Sequence, residues 1–231
     1  CALPISIQIW VMKMVRIVIA LTPYGVMALM AGVFSAYRFE QFASLLGFIA
    51  ACYLAILMMF IVHALILVLS GNNPVHYFKT VWPVLTFAFV SRSSAASIPL
   101  AISAQEKFGV QNTIANIAAS FGSSMGQNGC AGIYPAIMVA MIAPTIGIDP
   151  LSVHFLLAML PAIALGSIGV AGVGGGGTFA ALIVLSTLNF PVALVGIFIA
   201  IEPVVDMART ALNVNGSMMS GVLANRLLKK S

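Results

Sequence analysis

The chain has 231 residues, of which 61% are apolar and only 6% charged, and its mean hydropathy is +1.12. A soluble domain carries about a quarter charged residues, so an ordinary cytosolic enzyme, a disordered tail and a disulfide scaffold are excluded and a bilayer is the expected surrounding. The net charge of +5 arises from ten Lys/Arg scattered singly. Such scatter builds no stripe for a phosphate backbone, so no nucleic-acid partner is expected and the charges read as loop anchors of the positive-inside kind.

The sequence opens at Cys1, without the n-region or cleavage site of a leader, and runs at once into apolar residues. It therefore reads as a piece of a longer multi-pass protein whose N-terminal spans are missing. Cys1, Cys52 and Cys130 form no spaced pair, which argues against a disulfide framework or a zinc site and leaves Cys52 as a small buried hydrophobe.

In chain order, Ile17 to Phe34 reads as a spanning helix that Arg38 and Glu40 interrupt. Phe42 to Leu69 is a second, longer span, closed by the turn Ser70-Gly71-Asn72-Asn73-Pro74. Both can cross about 30 Å of hydrocarbon. Residues 76–107 differ. Two apolar arms of about ten residues, roughly 15 Å of helix each, flank Ser91-Arg92-Ser93-Ser94-Ala95-Ala96-Ser97. Neither arm crosses alone, so a re-entrant helical hairpin is predicted, with its serine-rich tip near the midplane.

Residues 112–148 form a helix broken by Gly122-Ser123-Ser124-Met125-Gly126-Gln127-Asn128-Gly129, and unwound backbone survives in a bilayer only inside protein or along a cavity. Residues 151–190 repeat the hairpin pattern around Gly169-Val170-Ala171-Gly172-Val173-Gly174-Gly175-Gly176-Gly177-Thr178. Residues 192–228 form a final polar-faced helix, and Arg226, Lys229 and Lys230 favour a cytoplasmic C-terminus. The order hairpin, interrupted helix, hairpin, polar-faced helix is one unit used twice. That is the inverted-repeat plan of secondary transporters, and the paired interruptions point to a midplane binding site.

Glu202, Asp206, Arg209, Asn213 and Ser217 step along one face of that last helix. A charge at the bilayer centre costs about 2.5–3.5 kcal/mol on insertion scales, so this face must look inward. One reading is a site for zwitterions, with Asp206 for an ammonium group, Arg209 as a fork for a carboxylate, and Asn213 for either. The other is a self-contained Asp206–Arg209 pair that ties helices together. Arg92 either supplements Arg209, pairs with an acid of the last helix, or neutralises Glu202. His63 and His154, in apolar runs, are either packing residues or proton relays. Met125 and Met207 lie beside the polar breaks.

These motifs resemble the dicarboxylate/amino acid:cation symporter family, the glutamate transporter fold. The serine-rich run ending Ile98-Pro99 resembles the family's first hairpin tip. The glycine run resembles the second, and Asp206-Met207-Ala208-Arg209-Thr210-Ala211-Leu212-Asn213-Val214-Asn215-Gly216 resembles the last-helix motif. The resemblance implies an all-α membrane protein with two re-entrant hairpins related by inverted repeats. Residues 1–40 would be a scaffold-type helix and residues 41–231 the transport core. It implies a homotrimer whose cores move like elevators, with the second hairpin as the extracellular gate and Gly172–Gly177 as its mobile tip.

Carried over by position, the resemblance implies that Asp206 meets the α-amino group, Asn213 and Ser93 the α-carboxylate, and Arg209 and Thr210 the side-chain end. Ser94, Arg92, Gly172 and Gly175 complete the expected shell. Where the family has a sodium-binding aspartate in the broken helix, this chain has Asn128, and a second sodium carboxylate is replaced by Ser217. Carboxylates contribute most of the attraction for a hard cation. A sodium site built from Ser124, Gln127, Asn128 and Asn213 with backbone carbonyls is one expectation, and proton coupling through Glu202 or a histidine is the rival. No cofactor beyond a coupling cation is expected.

The stretch Gly126-Gln127-Asn128-Gly129-Cys130-Ala131-Gly132-Ile133-Tyr134-Pro135 resembles the family's bacterial L-cystine uptake branch. It implies import of L-cystine across the bacterial cytoplasmic membrane, with acidic amino acids or C4-dicarboxylates as the alternative substrates. An intramembrane hydrolase lacks support, since HExxH does not occur. A passive anion channel lacks a ring of Arg/Lys.

Overall fold

Helix α1 (Phe39–Leu69) is 31 residues long, roughly 46 Å at the rise of an α-helix, and outreaches the hydrocarbon core of a bilayer. Phe48, Cys52, Ile56, His63 and Leu67 are buried along one side, while Leu54, Leu57, Met58, Ile61, Leu65 and Val68 are exposed along the other. A soluble helix would carry polar residues on that outer side. An apolar outer side suits lipid. The computed structural model describes residues 39–228, except 169, 171, 173, 192–194 and 200, together with Tyr24, Met27 and Ala31; side chains are described from Leu45 on, except at 196 and 197. Most of the scaffold helix expected over residues 1–40, and Lys229 and Lys230, lie outside the described residues. Two units are distinguished, Cys1–Ala43 and Ser44–Ser231, and everything below concerns the second.

The first hairpin forms from α2 (Pro74–Ser91) and α3 (Ser94–Lys107). Asn73 starts α2 as its N-cap, accepting from the N–H groups of Val75 and His76 at 2.9 and 3.2 Å, with Pro74 at the first helical position. The arms run 18 and 14 residues, about 27 and 21 Å, longer than the apolar runs predict. The tip is correspondingly small. Ser94 to Ser97 lie in the first turn of α3, so only Arg92 and Ser93 connect the helices. Arg92 takes the left-handed conformation, φ 52° and ψ 32°, and its N–H closes α2 on the Ala88 carbonyl. Ser93 is extended, and its Oγ accepts from the Ala96 N–H at 3.1 Å.

Helix α4 (Asn112–Gly122) gives way to irregular backbone, which winds into a π-helical turn at Asn128–Ile133 and then α5 (Tyr134–Ile142). A short 3₁₀ turn, Ala143–Ile146, follows. π-turns widen a helix and gather at functional sites. The second hairpin consists of α6 (Val153–Gly166) and α7 (Gly176–Thr187). Gly175 precedes α7 with φ 92°, a value glycine adopts freely and other residues avoid.

The last segment departs from the expected single helix. It divides into α8 (Val195–Ile199) and α9 (Glu202–Leu228), with Ile201 in a turn between them. Pro203 is the physical cause: its ring would clash with the carbonyl of Ile199 in a continuous helix, and it has no N–H to bond there. Pro is tolerated in the first turn of α9. Helix α9 is buried along most of its length and packs against α2, α3, α4 and the π-turn. Every described element is helical, with a single isolated bridge between Met125 and Ile168. Among the described residues two helices are long and apolar enough to span, Leu45–Leu69 and Asn128–Ile146.

Candidate functional site

Helix α9 delivers Glu202, Asp206, Arg209 and Asn213 to one face, as its spacing predicts, and all four are buried. Arg209 is 0% exposed. Its Nη2 donates to Glu202 Oε1 and to Asp206 Oδ1, each at 3.1 Å, and its guanidinium carbon lies 3.9 Å from the centre of the Tyr134 ring. A cation over an aromatic face is stabilised by the ring quadrupole, more so away from water. Among the described residues, Nε and Nη1 of Arg209 have no hydrogen-bond partner. The buried Asp206–Arg209 pair therefore exists, but it leaves part of the guanidinium unsatisfied. Such orphaned donors are costly and call for an explanation.

Arg92 reaches across from the first tip, and its Nε meets Asp206 Oδ2 at 3.2 Å. Of the three roles open to it in the sequence, it takes the pairing with an acid of the last helix. That acid is Asp206 and not Glu202. Thr210 Oγ1 adds a long contact to Asp206 Oδ1 at 3.5 Å. Two arginines and two acids thus balance in one buried cluster.

Glu202 binds the second hairpin. Its carboxylate accepts from the Thr178 N–H at 3.2 Å and from Thr178 Oγ1 at 2.6 Å. Gly175 has no side chain to cap α7; the Thr178 N–H is shared between the Gly175 carbonyl at 3.1 Å and the Glu202 carboxylate, which also complements the positive end of the helix dipole. Gly177 lies against Arg209 Nη1 so closely that a Cβ there would collide with it.

The two tips join at Gly172, whose carbonyl accepts from the Ala95 N–H at 2.9 Å and from Ser93 Oγ at 3.2 Å. Ser94 is buried beside them. The broken helix meets the second tip through the Met125–Ile168 bridge and the Gly126 N–H on the Ser167 carbonyl. Asn213 Oδ1 accepts from the Gly129 N–H at 2.7 Å, and its Nδ2 donates to Gln127 Oε1 at 3.2 Å and to Cys130 Sγ at 3.0 Å.

The candidate sodium ligands do not all converge. Gln127 and Asn213 meet each other. Asn128 turns to His63, with 3.1 Å between Nδ2 and Nε2, and the hydroxyl of Ser124 points back to the Phe121 carbonyl. His63 is buried, and its Nδ1 lies 2.9 Å from Asn215 Nδ2. That is the hydrogen-bonded packing role. His154 is exposed at the start of α6. Cys52 is buried, as expected. Among the described residues no group of three or more His, Cys, Asp or Glu could hold a metal ion.

Three members of the cluster carry no signal at the sequence level. Tyr134, Thr178 and Cys130 come from the far side of the break and from the second hairpin. Thr178 closes the glycine run and Cys130 directly follows the break at Gly129, but nothing in those runs tells which residue faces α9.

The sequence pattern of the sodium:dicarboxylate symporter family matches residues 3–227. The chain belongs to this family. It is 56% identical over 219 residues to the L-cystine uptake protein TcyP of Bacillus cereus, an alignment covering 94% of this chain and 47% of that protein. It is 54% identical over 221 residues to an uncharacterised symporter of Haemophilus influenzae, covering 95% and 50% respectively. The L-cystine uptake protein TcyP of Bacillus licheniformis is 53% identical over 217 residues. The chain spans about half the length of the curated relatives it matches.

Proposed function

We propose that this chain forms the substrate-binding core of a secondary active symporter that imports L-cystine across the bacterial cytoplasmic membrane, and that it is not an enzyme. The observation that carries this reading is Arg209, fully buried with Nε and Nη1 unsatisfied, held beside Asp206. An unpaired guanidinium edge next to a carboxylate is a receptor for a zwitterion. The Bacillus relatives, named as L-cystine uptake proteins, favour cystine among zwitterions.

In this reading Arg92 holds the Asp206 oxygen that the substrate ammonium takes over. The Arg92 side chain is 22% exposed and Asp206 only 2%, so Arg92 is the partner that can leave. Once released, its guanidinium is available to the second carboxylate of cystine, while Arg209 takes the first. Asn213, Ser93, Ser94 and Thr210 supply neutral hydrogen bonds around it. Gly172 and Gly175 let the second tip close over the ligand and reopen as the gate.

The hairpins are re-entrant and related as inverted repeats, residues 41–231 move as the elevator, and three copies assemble around a scaffold that includes residues 1–40. Sodium, if coupled, uses Gln127 and Asn213 with backbone carbonyls, and must displace the amide contact between them. Otherwise Glu202 carries the proton.

The test is uptake of labelled L-cystine by the intact protein in liposomes, with and without an inward sodium gradient at matched pH. Accumulation against a gradient supports the symporter, and its sodium dependence names the ion. The absence of cystine uptake in a preparation that accumulates aspartate would replace cystine by an acidic amino acid, the substrate class that Arg209 alone also fits.

A further inference from the structure

We propose that the Cys130 thiol is a disulfide-exchange site within the substrate shell, able to take one half of a disulfide amino acid as a reversible mixed disulfide. This rests on the cystine reading above. Cys130 Sγ lies 3.8 Å from Asp206 Oδ1 and 3.0 Å from Asn213 Nδ2, the two side chains placed at the amino acid end of the ligand. Independently, Arg209 in the same cluster is wholly buried with Nε and Nη1 unpartnered. That edge points to a carboxylate ligand, and a carboxylate there brings an amino acid head group against Cys130. A cystine whose ammonium rests on Asp206 holds its nearer sulfur only a Cα and a Cβ away from that nitrogen.

The chemistry closes without an outside oxidant. Cys130 passes its proton to Asp206 Oδ1, and the thiolate sulfur attacks the nearer sulfur of the substrate. The substrate S–S bond breaks as the new bond between Cys130 and a half-cystine forms. The other half leaves as cysteine thiolate and takes the proton back. The disulfide substrate is the oxidant, and only the thiolate form of Cys130 is the nucleophile. A second thiol reverses the step by the same route. Bound half-cystine keeps the site occupied, so cystine slows its own uptake where reducing thiols are scarce.

The experiment exposes the intact protein in liposomes to L-cystine, then denatures and alkylates it, and reads unreduced peptides by mass. The expected result is a cysteinyl adduct on Cys130 and none on Cys52, lost on reduction and suppressed by a saturating thioether analogue with the same two amino acid ends. Uptake of that labelled analogue should fall after cystine treatment and recover with reductant in the wild type, with no such fall in Cys130→Ser. Cystine that is accumulated and displaced by the thioether while Cys130 remains fully alkylatable overturns the exchange and leaves the cystine reading standing. An adduct spread equally over Cys52 and Cys130, unprotected by the thioether, also overturns it. Failure of both compounds to bind removes the cystine reading together with the exchange. The wild-type protection arm decides even if Cys130→Ser does not fold.

Discussion

The two hairpin tips solve the same problem with opposite chemistry. The first holds itself together: Arg92 closes α2 on the Ala88 carbonyl, and Ser93 caps α3 through its own hydroxyl. Its connection is two residues long. In the second hairpin α6 also closes on its own backbone at Ser167, but α7 has no side-chain cap and its further ties come from other elements. Glu202 of α9 takes both donors of Thr178, and the first tip takes the Gly172 carbonyl. A segment ordered by its neighbours is released when those neighbours change partners, whereas a segment ordered by its own caps is not. On the gate reading proposed above, the second tip is the moving part and the first the fixed wall.

Three substitutions test that division. The largest effect is expected from Gly177→Ala, because the added methyl meets the wholly buried Arg209 guanidinium. Overpacking against a buried group lies at the upper end of its range, about 3 kcal/mol, or roughly a hundredfold in affinity. Competition binding should show the loss for every amino acid substrate, because Arg209 takes the head-group carboxylate that each carries. Unchanged affinity for a neutral amino acid would detach Gly177 from the arginine.

Next comes Thr178→Val, which removes the hydroxyl bond to Glu202. The deleted bond is to a charged acceptor, worth about 1.5–3 kcal/mol. Hydrogen exchange should quicken across residues 172–178 and stay unchanged across 91–97. Acceleration of both tips together would mean that they open as one, and the comparison would fail.

The smallest effect belongs to Ser93→Ala. Loss of an N-cap costs about 1 kcal/mol, and thermal unfolding should register it as a modest drop. Exchange should quicken at the start of α3 with little change in the second tip. A gate that opens freely in this variant would instead make the Ser93–Gly172 contact the main latch.

Much of the site was legible because helix periodicity is local. The step from Glu202 through Asp206 and Arg209 to Asn213 places those groups on one face whatever surrounds them, and burial follows from the cost of charge in lipid. The glycine and serine runs mark the interruptions just as directly. Hairpin arm length was less legible. Apolar runs end where polar residues begin, whereas α2 and α3 continue through their own serines, since a capped helix buried in protein tolerates them.

Partner choice was beyond the sequence altogether. Arg92 lies 114 residues from Asp206 and equally well suits Glu202 on paper, and only the packing of the first tip against α9 decides between them. Thr178, Tyr134 and Cys130 join the cluster for the same reason. The sequence by itself determined that this is a family of buried charges in a chain of interrupted apolar helices, because local spacing and solvation costs are written residue by residue. Tertiary structure alone decided which charges meet, that Arg209 keeps two donors unspent, and that the second tip leans on α9, because contacts between distant segments depend on how helices pack and not on their order.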